Sequence, residues 1–223
     1  EEKQDTINWD RWVGPSAMQP YNSKIAPASA VYPNWPAWRH YSDFGGGGQC
    51  DWGAHQYDIA QWALDRDGDV PVEVIPPDPS DPERKSLTYR YADGVQIIRQ
   101  WNGSVFPELS SGVEFIGDEG TIYVGRGVIE TKPTRLKLEP TRGDERTVYE
   151  STSHTRNFVD CIKSRQKPIC DEVVGASSAV VCHLGNIAEQ CAQTLKFDYK
   201  TGRTDNAAAN LLLSPPKRPQ YAI

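Results

Sequence analysis

A run of four glycines, Gly45–Gly48, leads directly into a segment with helical spacing. Glycine weakens the interior of a helix or strand, so such a run marks a place where the backbone turns or approaches another group closely. With about 3.6 residues per turn, four side chains share one stripe of a helix predicted over residues 49–64. They are Asp51, His55, Asp58 and Trp62. The spacing therefore predicts two carboxylates and an imidazole beside a flexible helix start.

Two interpretations of this segment are open. It is either an ordinary surface helix, since an acidic residue four positions before a histidine is common, or part of a binding site. Free backbone amides at a helix start favour anionic or polar oxygens of a bound molecule. The glycine run favours function, because it costs backbone entropy without contributing packing.

The charge and hydropathy pattern excludes several classes of partner. The chain of 223 residues has a formal net charge of −6, and its acidic and basic residues are well mixed. It carries no basic patch of the kind that binds nucleic acid. No apolar run approaches the roughly 20 residues of a membrane span, and no signal-peptide pattern is present. We expect a soluble protein, cytoplasmic or periplasmic, without nucleic-acid or membrane partners.

The five cysteines are odd in number and include no Cys-x-x-Cys pair. Such a set is typical of small buried apolar side chains and not of a disulfide framework or a zinc site. We therefore expect no bound metal. The five are Cys50, Cys161, Cys170, Cys182 and Cys191.

The first 40 residues contain five prolines and show little periodicity. They predict an extended, irregular arm over residues 1–40 that packs on a single α+β domain over residues 41–223. Four tryptophans precede the glycine run: Trp9, Trp12, Trp35 and Trp38. Aromatic rings with N–H donors suit either packing of the arm on the body or a platform for a sugar, and both interpretations are open.

The remaining chain predicts an α+β fold. Short alternating segments between residues 70 and 138 predict strands, and the turns at 92–94 and 118–120 predict two hairpins. Further short strands are predicted at 127–131, 135–138 and 195–198. Helices are predicted for 153–165, from Asp171 onward, and near 206–213. We expect an open, largely antiparallel mixed sheet with helices packed on one face.

The glycine run is not a dinucleotide fingerprint. It contains no G-x-G-x-x-G after an apolar strand, and no acidic residue ends a following strand. Gly125-Arg126-Gly127 lies between two short strands and indicates a turn. The chain also contains no Walker phosphate loop, G-x-S-x-G elbow or H-E-x-x-H helix. We expect this chain alone to bind no nucleotide cofactor.

Several segments, in the same order, resemble the C-terminal domain of the glucose–fructose oxidoreductase/inositol dehydrogenase (Gfo/Idh/MocA) family. The most specific is Phe44-Gly-Gly-Gly-Gly-Gln-Cys-Asp-Trp-Gly-Ala-His-Gln-Tyr-Asp58. The other segments are shorter: Asn8–Pro15, Pro20-Tyr21, Gly112–Gly120, His154–Ile162, Cys182–Ala188 and Ala209–Leu212. The resemblance extends over nearly the whole chain.

The resemblance implies one half of a two-domain oxidoreductase acting on a sugar or polyol. In this family an N-terminal Rossmann domain binds NAD or NADP, and the C-terminal domain holds the substrate and forms a homo-oligomer through its sheet. Asp51 and His55 match the catalytic pair, with His55 as proton donor and acceptor. The family's catalytic lysine belongs to the cofactor domain, so the role is not assigned to Lys132. We interpret the chain as part of a longer enzyme rather than a stand-alone protein.

Five further side chains are candidate substrate contacts: Trp38, Arg39, Tyr41, Trp52 and His183. Each also has a structural interpretation, because Arg39 and Tyr41 can anchor the arm and Trp52 can pack against the body. His183 lies beside the apolar stripe of the longest predicted helix, where a half-buried histidine is common. We expect structural roles for Asp58 and His154.

Two other functions are compatible with these residues. A cofactor-independent lyase or epimerase would use His55 to abstract a proton next to a keto group, or Asp51, His55 and His183 to bind a divalent metal. A non-catalytic carbohydrate-binding or scaffold protein would instead use the tryptophans.

Overall fold

The computed structural model describes residues 7–26, 37–100, 102–109, 111–137 and 149–222. Trp35 and Leu138, on which two sequence predictions rest, lie outside the described residues. The described residues form two compact units. Of the described residues, the first unit takes those within 1–55, 71–99 and 181–222, and the second takes those within 56–70 and 100–180.

The described part of the chain contains six α-helices and eight strands. The helices are α1 (Trp9–Val13), α2 (Gly47–Cys50), α3 (Trp52–Ala63), α4 (His154–Ser164), α5 (Glu172–Cys191) and α6 (Ala207–Leu213). The strands are β1 (Glu73–Ile75), β2 (Thr88–Arg90), β3 (Gln96–Ile98), β4 (Val113–Gly117), β5 (Gly120–Gly125), β6 (Val128–Lys132), β7 (Leu195–Asp198) and β8 (Arg203–Thr204). Among these helices, none has both the length and the apolar content needed to cross a bilayer.

The first unit contains a five-stranded sheet in the order β3-β2-β1-β7-β8, in which every neighbouring pair is antiparallel. Val74, Tyr89 and Leu195 have no exposed surface and form its core. The C-terminal half of α5 covers this sheet closely, since a side chain added at Gly185 would overlap Tyr89 and Leu87. Burial of this apolar face against a helix is what stabilises a short-stranded sheet.

The second unit contains a three-stranded antiparallel sheet, β4-β5-β6. On one face Tyr123 packs against Phe106, with ring centroids 6.1 Å apart. The cross-strand pairing assigns five apolar residues to the opposite face: Val113, Phe115, Ile122, Val124 and Ile129. Ile122 and Ile129 on this face are 36% and 52% exposed.

The α+β class, the open antiparallel sheets and both hairpins predicted from the sequence are confirmed. The predicted helix starts are also confirmed, because Ser153, Asp171 and Asn206 each accept hydrogen bonds from backbone amides of the helix that follows. The strand predicted over 135–138 is wrong, since Thr134–Lys137 is a 3-10 helix. Pro133 ends β6, because proline has no N–H for the ladder, and its carbonyl accepts from Leu136 N.

Four aromatic residues near the start of the described chain form a small core of their own within the first unit: Trp9, Trp12, Tyr21 and Phe44. Trp9 stacks on Trp12 at 4.9 Å and meets Tyr21 edge-on, and Trp12 meets Phe44 at 4.9 Å. Trp9 is only 8% exposed, and its indole N–H donates to the Gln19 carbonyl at 2.7 Å. Trp9 therefore anchors this segment and does not offer a face to a sugar. The short helix α1 was not predicted, because five residues are too few to show periodicity.

Arg218, in the C-terminal segment, binds α1 and the residues that follow it. Its guanidinium donates to the Asp10 carboxylate at 2.5 Å, and its Nε donates to the Gly14 carbonyl at 2.9 Å. The Arg218 amide also donates to the Pro15 carbonyl at 3.1 Å. These bonds satisfy carbonyls left unpaired where a helix ends.

Candidate functional site

The segment after the glycine run forms two helices and not one. Asp51 adopts φ −90° and ψ −86°, which separates α2 from α3, and its N–H donates to the Gly47 carbonyl to close α2. The predicted continuous helix over 49–64 is therefore wrong at Asp51. Asp51 lies at a break between helices. The first residue of α2, Gly47, has a positive φ of 64°, a conformation that favours glycine.

The carboxylate of Asp51 pairs with Arg39. The Arg39 Nη1 lies 3.1 Å from Asp51 Oδ1, and the two side chains are 23% and 24% exposed. Arg39 belongs to a 3-10 helix, Ala37–His40, and its guanidinium also lies over the Trp38 ring, 4.9 Å from the ring centroid. The structure thus brings Arg39 and Trp38, two predicted substrate contacts, to Asp51 of the predicted catalytic pair.

His55 lies in the first turn of α3, four residues after Asp51, and is exposed. Its ring meets the edge of Trp52, with centroids 6.3 Å apart and planes at 67°. Trp52 is 54% exposed and Tyr41 is 41% exposed. The structure thus leaves the imidazole and two aromatic rings accessible in the same unit that holds Asp51.

His183 contacts a residue that the sequence analysis treated as a packing residue. Its Nδ1 lies 3.8 Å from the Cys50 sulfur, and Asn186 Nδ2 donates to the same sulfur at 3.3 Å. Hydrogen bonding by Cys182 is the largest cause that lowers the pKa of Cys50, to about 5, and His183 and Asn186 lower it further against the opposing effect of burial. The hydrogen bond with Cys50 raises the pKa of His183.

The sequence predicted that all five cysteines are buried, but their exposure differs. Cys161 and Cys182 are buried, but Cys50 and Cys191 are partly exposed and Cys170 is exposed. The expectation of five buried thiols is wrong for Cys170. The adjacency of Cys182 and His183 is visible in the sequence, but Cys50 is 132 residues earlier than Cys182 by numbering and gives no local signal of the contact.

A buried polar network fixes α2 beside α5. Gln49 is 8% exposed, and its Nε2 donates to the Cys182 carbonyl at 3.1 Å. Arg99, at the end of β3, donates to Gln49 Oε1 at 2.5 Å and forms an ion pair with Glu189. Because each buried polar group has a partner, this network sets the position of Cys50 and Asp51 at the end of α2.

A family model supplies the relationship to known proteins. The Gfo/Idh/MocA model described as "Oxidoreductase family, C-terminal alpha/beta domain" matches residues 1–223. The chain belongs to this family. No curated protein matches the chain. The resemblance recognised in the sequence is thereby confirmed, and members of the Gfo/Idh/MocA family are generally NAD(P)-dependent.

The first two glycines of the run make close contacts within the protein. A side chain added at Gly45 would lie 2.8 Å from the Arg39 carbonyl oxygen, and one added at Gly46 would overlap the Cys50 sulfur. Asn186 Nδ2 also donates to the Gly46 carbonyl at 2.8 Å. Gly45 and Gly46 therefore admit close contacts within the protein, whereas Gly47 and Gly48 have no atom within 4 Å of an added Cβ.

Two residues for which the sequence predicted structural roles remain, Asp58 and His154. Asp58 accepts a hydrogen bond from Ser178 Oγ at 2.8 Å, which links α3 to α5 within the second unit. His154 is the exposed first residue of α4. In the part of the chain that the structure describes, no group of three or more His, Cys, Asp or Glu side chains is arranged to hold a metal ion. This gives no support to a metal site of Asp51, His55 and His183.

Proposed function

We propose that this chain is the substrate-binding and proton-transferring domain of an NAD(P)-dependent oxidoreductase that acts on a sugar or polyol. Asp51 and His55 are the proposed proton-transfer pair. The observation that carries the proposal is an accessible His55 four residues after an Asp51 carboxylate held by Arg39, in a chain of the Gfo/Idh/MocA family.

Oxidation of an alcohol requires a base for the hydroxyl proton, and reduction of a ketone requires the corresponding acid. Histidine can serve in both directions near neutral pH, and such a group contributes about 10²–10⁴ in rate. In the proposed mechanism His55 takes the proton from the reacting hydroxyl. A carboxylate accepts up to about four hydrogen bonds, so Asp51 can bind Arg39 and a substrate hydroxyl together. Arg39 therefore acts to orient Asp51.

The proposed substrate contacts outside the pair are Tyr41, Trp52, Trp38 and His183. Tyr41 and Trp52 offer exposed rings that can pack on sugar C–H groups, and their O–H and N–H groups can bond hydroxyls. Trp38 supports Arg39 through its ring. His183 is exposed on α5 beside the end of α2.

The cofactor is assigned to a separate N-terminal domain, as the family implies. Because the glycine run of this chain lacks the G-x-G-x-x-G fingerprint, the proposal gives Asp51 and His55 only the proton half of the reaction. We accordingly expect the chain alone to show no tight binding of NAD or NADP, and tight binding measured by calorimetry would contradict the domain assignment.

The test is a calorimetric titration of the chain against a panel of hexoses, inositols and linear polyols. The proposal expects at least one of them to bind, and the Asp51→Asn and His55→Gln variants to lose about tenfold or more in affinity because each removes a hydrogen-bonding partner. His154→Gln, an exposed histidine on α4, is the matched control and should bind like the wild type. If the Asp51→Asn and His55→Gln variants bind the sugars of the panel as tightly as the wild type and His154→Gln do, the proposal is contradicted.

The lyase or epimerase alternative has its own signature. The isolated chain would exchange the hydrogen next to the carbonyl of a keto-sugar with deuterium from the solvent, and His55→Gln would abolish that exchange. Such exchange, followed by proton NMR, would replace the oxidoreductase proposal. Its absence together with sugar binding would support the oxidoreductase proposal.

We also propose that the chain forms a homo-oligomer through the apolar face of the β4-β5-β6 sheet. The support is the row of exposed isoleucines on that face, Ile122 and Ile129, beside Val113, Phe115 and Val124. Sedimentation velocity should give an oligomer for the wild type and a smaller species for Ile129→Asp. Leu211→Asp, at a 73% exposed apolar residue of α6, is the control and should leave the oligomer intact.

A further inference from the structure

Cys50 ends α2 against the surface of α5, where three side chains meet its sulfur. His183 Nδ1 lies 3.8 Å away and Asn186 Nδ2 donates at 3.3 Å. The Cys182 thiol forms a further hydrogen bond with the same sulfur. Gly46 faces this sulfur with no side chain, since an added Cβ would overlap it. The sulfur is therefore seated among hydrogen-bonding groups.

The groups around Cys50 favour its thiolate form. A thiolate is stabilised by donors and by a neighbouring imidazolium, which Asn186, Cys182 and His183 supply. These contacts bring the pKa of Cys50 to about 5, and Cys50 in return raises the pKa of His183. All three partners come from α5, and the flanking Asp51 is paired with Arg39.

Cys170 provides the opposite case in the same chain. It is more exposed than Cys50, but burial of its sulfur and the nearby carboxylates of Asp58, Asp171 and Asp67 raise its pKa above 9.0. If exposure alone governed reactivity, Cys170 would react first. If thiolate character governs it, Cys50 reacts first.

We propose that Cys50 is an oxidative modification site, a thiolate paired with His183 that hydrogen peroxide converts to a sulfenic acid and that Cys182 then resolves as a disulfide. The sulfur of Cys50 attacks one peroxide oxygen, so an S–O bond forms and the O–O bond breaks. The departing hydroxide takes the proton of the His183 imidazolium and leaves as water. The Cys50 sulfur is oxidised by two electrons and the peroxide is reduced.

The second step follows from the contact between the two sulfurs. The Cys182 sulfur attacks the Cys50 sulfur, so an S–S bond forms and the S–O bond breaks. The released hydroxide takes the Cys182 thiol proton and leaves as a second water. In sum, two thiols and one hydrogen peroxide give one disulfide and two waters. Cys182 is 1% exposed, so it reacts with Cys50 and not directly with peroxide.

The first test measures the rate of iodoacetamide labelling at each cysteine of the folded chain by peptide mass spectrometry. At neutral pH Cys50 should label about tenfold or more faster than Cys170, with a labelling midpoint near pH 5. His183→Gln should slow the labelling of Cys50 and move its labelling midpoint to higher pH, and it should leave the labelling rate of Cys170 unchanged. Faster labelling of Cys170, or a Cys50 profile that His183→Gln leaves unchanged, would overturn the thiolate pair.

The second test treats the wild type and Cys182→Ser with hydrogen peroxide and dimedone. Cys182→Ser should accumulate the dimedone adduct on Cys50, and the wild type should instead lose two hydrogens and yield a Cys50–Cys182 cross-linked peptide. Cys191→Ser, at another partly exposed cysteine, is the control and should behave as the wild type. An adduct on Cys50 in both proteins would overturn the role of Cys182, and no adduct in either would overturn the site.

Discussion

The guanidinium of Arg39 lies 3.1 Å from the carboxylate of Asp51, across the glycine-rich turn. This ion pair joins Arg39, a predicted substrate contact, to Asp51, the carboxylate of the predicted catalytic pair. It depends on the turn, because Gly45 admits the Arg39 backbone at a distance that a side chain would prevent. The orientation of Asp51 is therefore set by a residue twelve positions earlier and by the glycine between them.

We expect Arg39 and Asp51 to couple in a double-mutant cycle. The variants Arg39→Met and Asp51→Asn, alone and combined, should give a coupling of about 1 kcal/mol in the free energy of unfolding, since the pair is partly buried and hydrogen-bonded. Urea denaturation followed by tryptophan fluorescence measures it. The exposed pair Arg156–Asp160 on α4 is the control, with an expected coupling of about 0.3–0.5 kcal/mol. Equal couplings would show that burial adds nothing at Arg39.

Gly46 and Gly48 should respond differently to alanine. Gly46→Ala places a methyl group on the Cys50 sulfur and should destabilise the chain by about 1–3 kcal/mol through overpacking. Gly48 has no neighbouring atom within 4 Å of an added Cβ, and Gly48→Ala should be neutral or stabilise by up to about 1 kcal/mol because alanine favours helix. Thermal unfolding of both variants checks the contrast, and similar melting temperatures would refute it.

The contact between Asp58 and Ser178 should affect stability and leave the proposed site intact. Ser178→Ala removes a 2.8 Å hydrogen bond to a partly buried carboxylate and should cost about 1–3 kcal/mol. Asp58→Asn should keep sugar affinity within about twofold of the wild type, because Asp58 has a structural partner. Denaturation and calorimetry measure the two effects. Loss of sugar binding in Asp58→Asn would assign Asp58 to the site instead.

The Cys50 and His183 pair should make stability depend on pH. The folded pKa of Cys50 is about 5 against an ordinary 9.0, so from about pH 5 upward the unfolded chain holds a proton that the folded chain has lost. Unfolding free energy therefore rises with pH from about 5. His183 has a pKa raised above 6.5, so its contribution is complete below 6.5 and is lost as pH rises through the folded value. Between pH 6.5 and the folded pKa of His183 the two effects offset each other, and above that value the Cys50 effect again raises the unfolding free energy until pH 9.0.

The expected result is a difference in unfolding free energy between wild type and Cys50→Ser that grows from pH 5 to pH 6.5 and then levels until the pH passes the folded pKa of His183, measured by urea denaturation at half-unit steps. Cys191→Ser serves as the control and should show no such growth relative to the wild type. Parallel profiles for the wild type and Cys50→Ser would contradict the assigned pKa values.

The sequence predicted those features that depend on neighbouring residues. Ser153, Asp171 and Asn206 begin helices because a side-chain oxygen can satisfy amides two or three residues later. The hairpins at 92–94 and 118–120 follow from turn residues between alternating strands. The helix break at Asp51 and the 3-10 turn after Pro133 were missed, because a single residue's conformation there outweighs the periodicity of the segment.

The sequence by itself determined the fold class and the family, and it predicted Asp51 and His55 as the proposed proton-transfer pair. Only the tertiary structure decided what surrounds them: Arg39 on the Asp51 carboxylate, and Cys182, His183 and Asn186 on the Cys50 sulfur. The physical reason is that helix periodicity, caps and turns are set by residues a few positions apart. The ion pair and the protonation of a thiol are instead set by the distance between groups that only folding brings together.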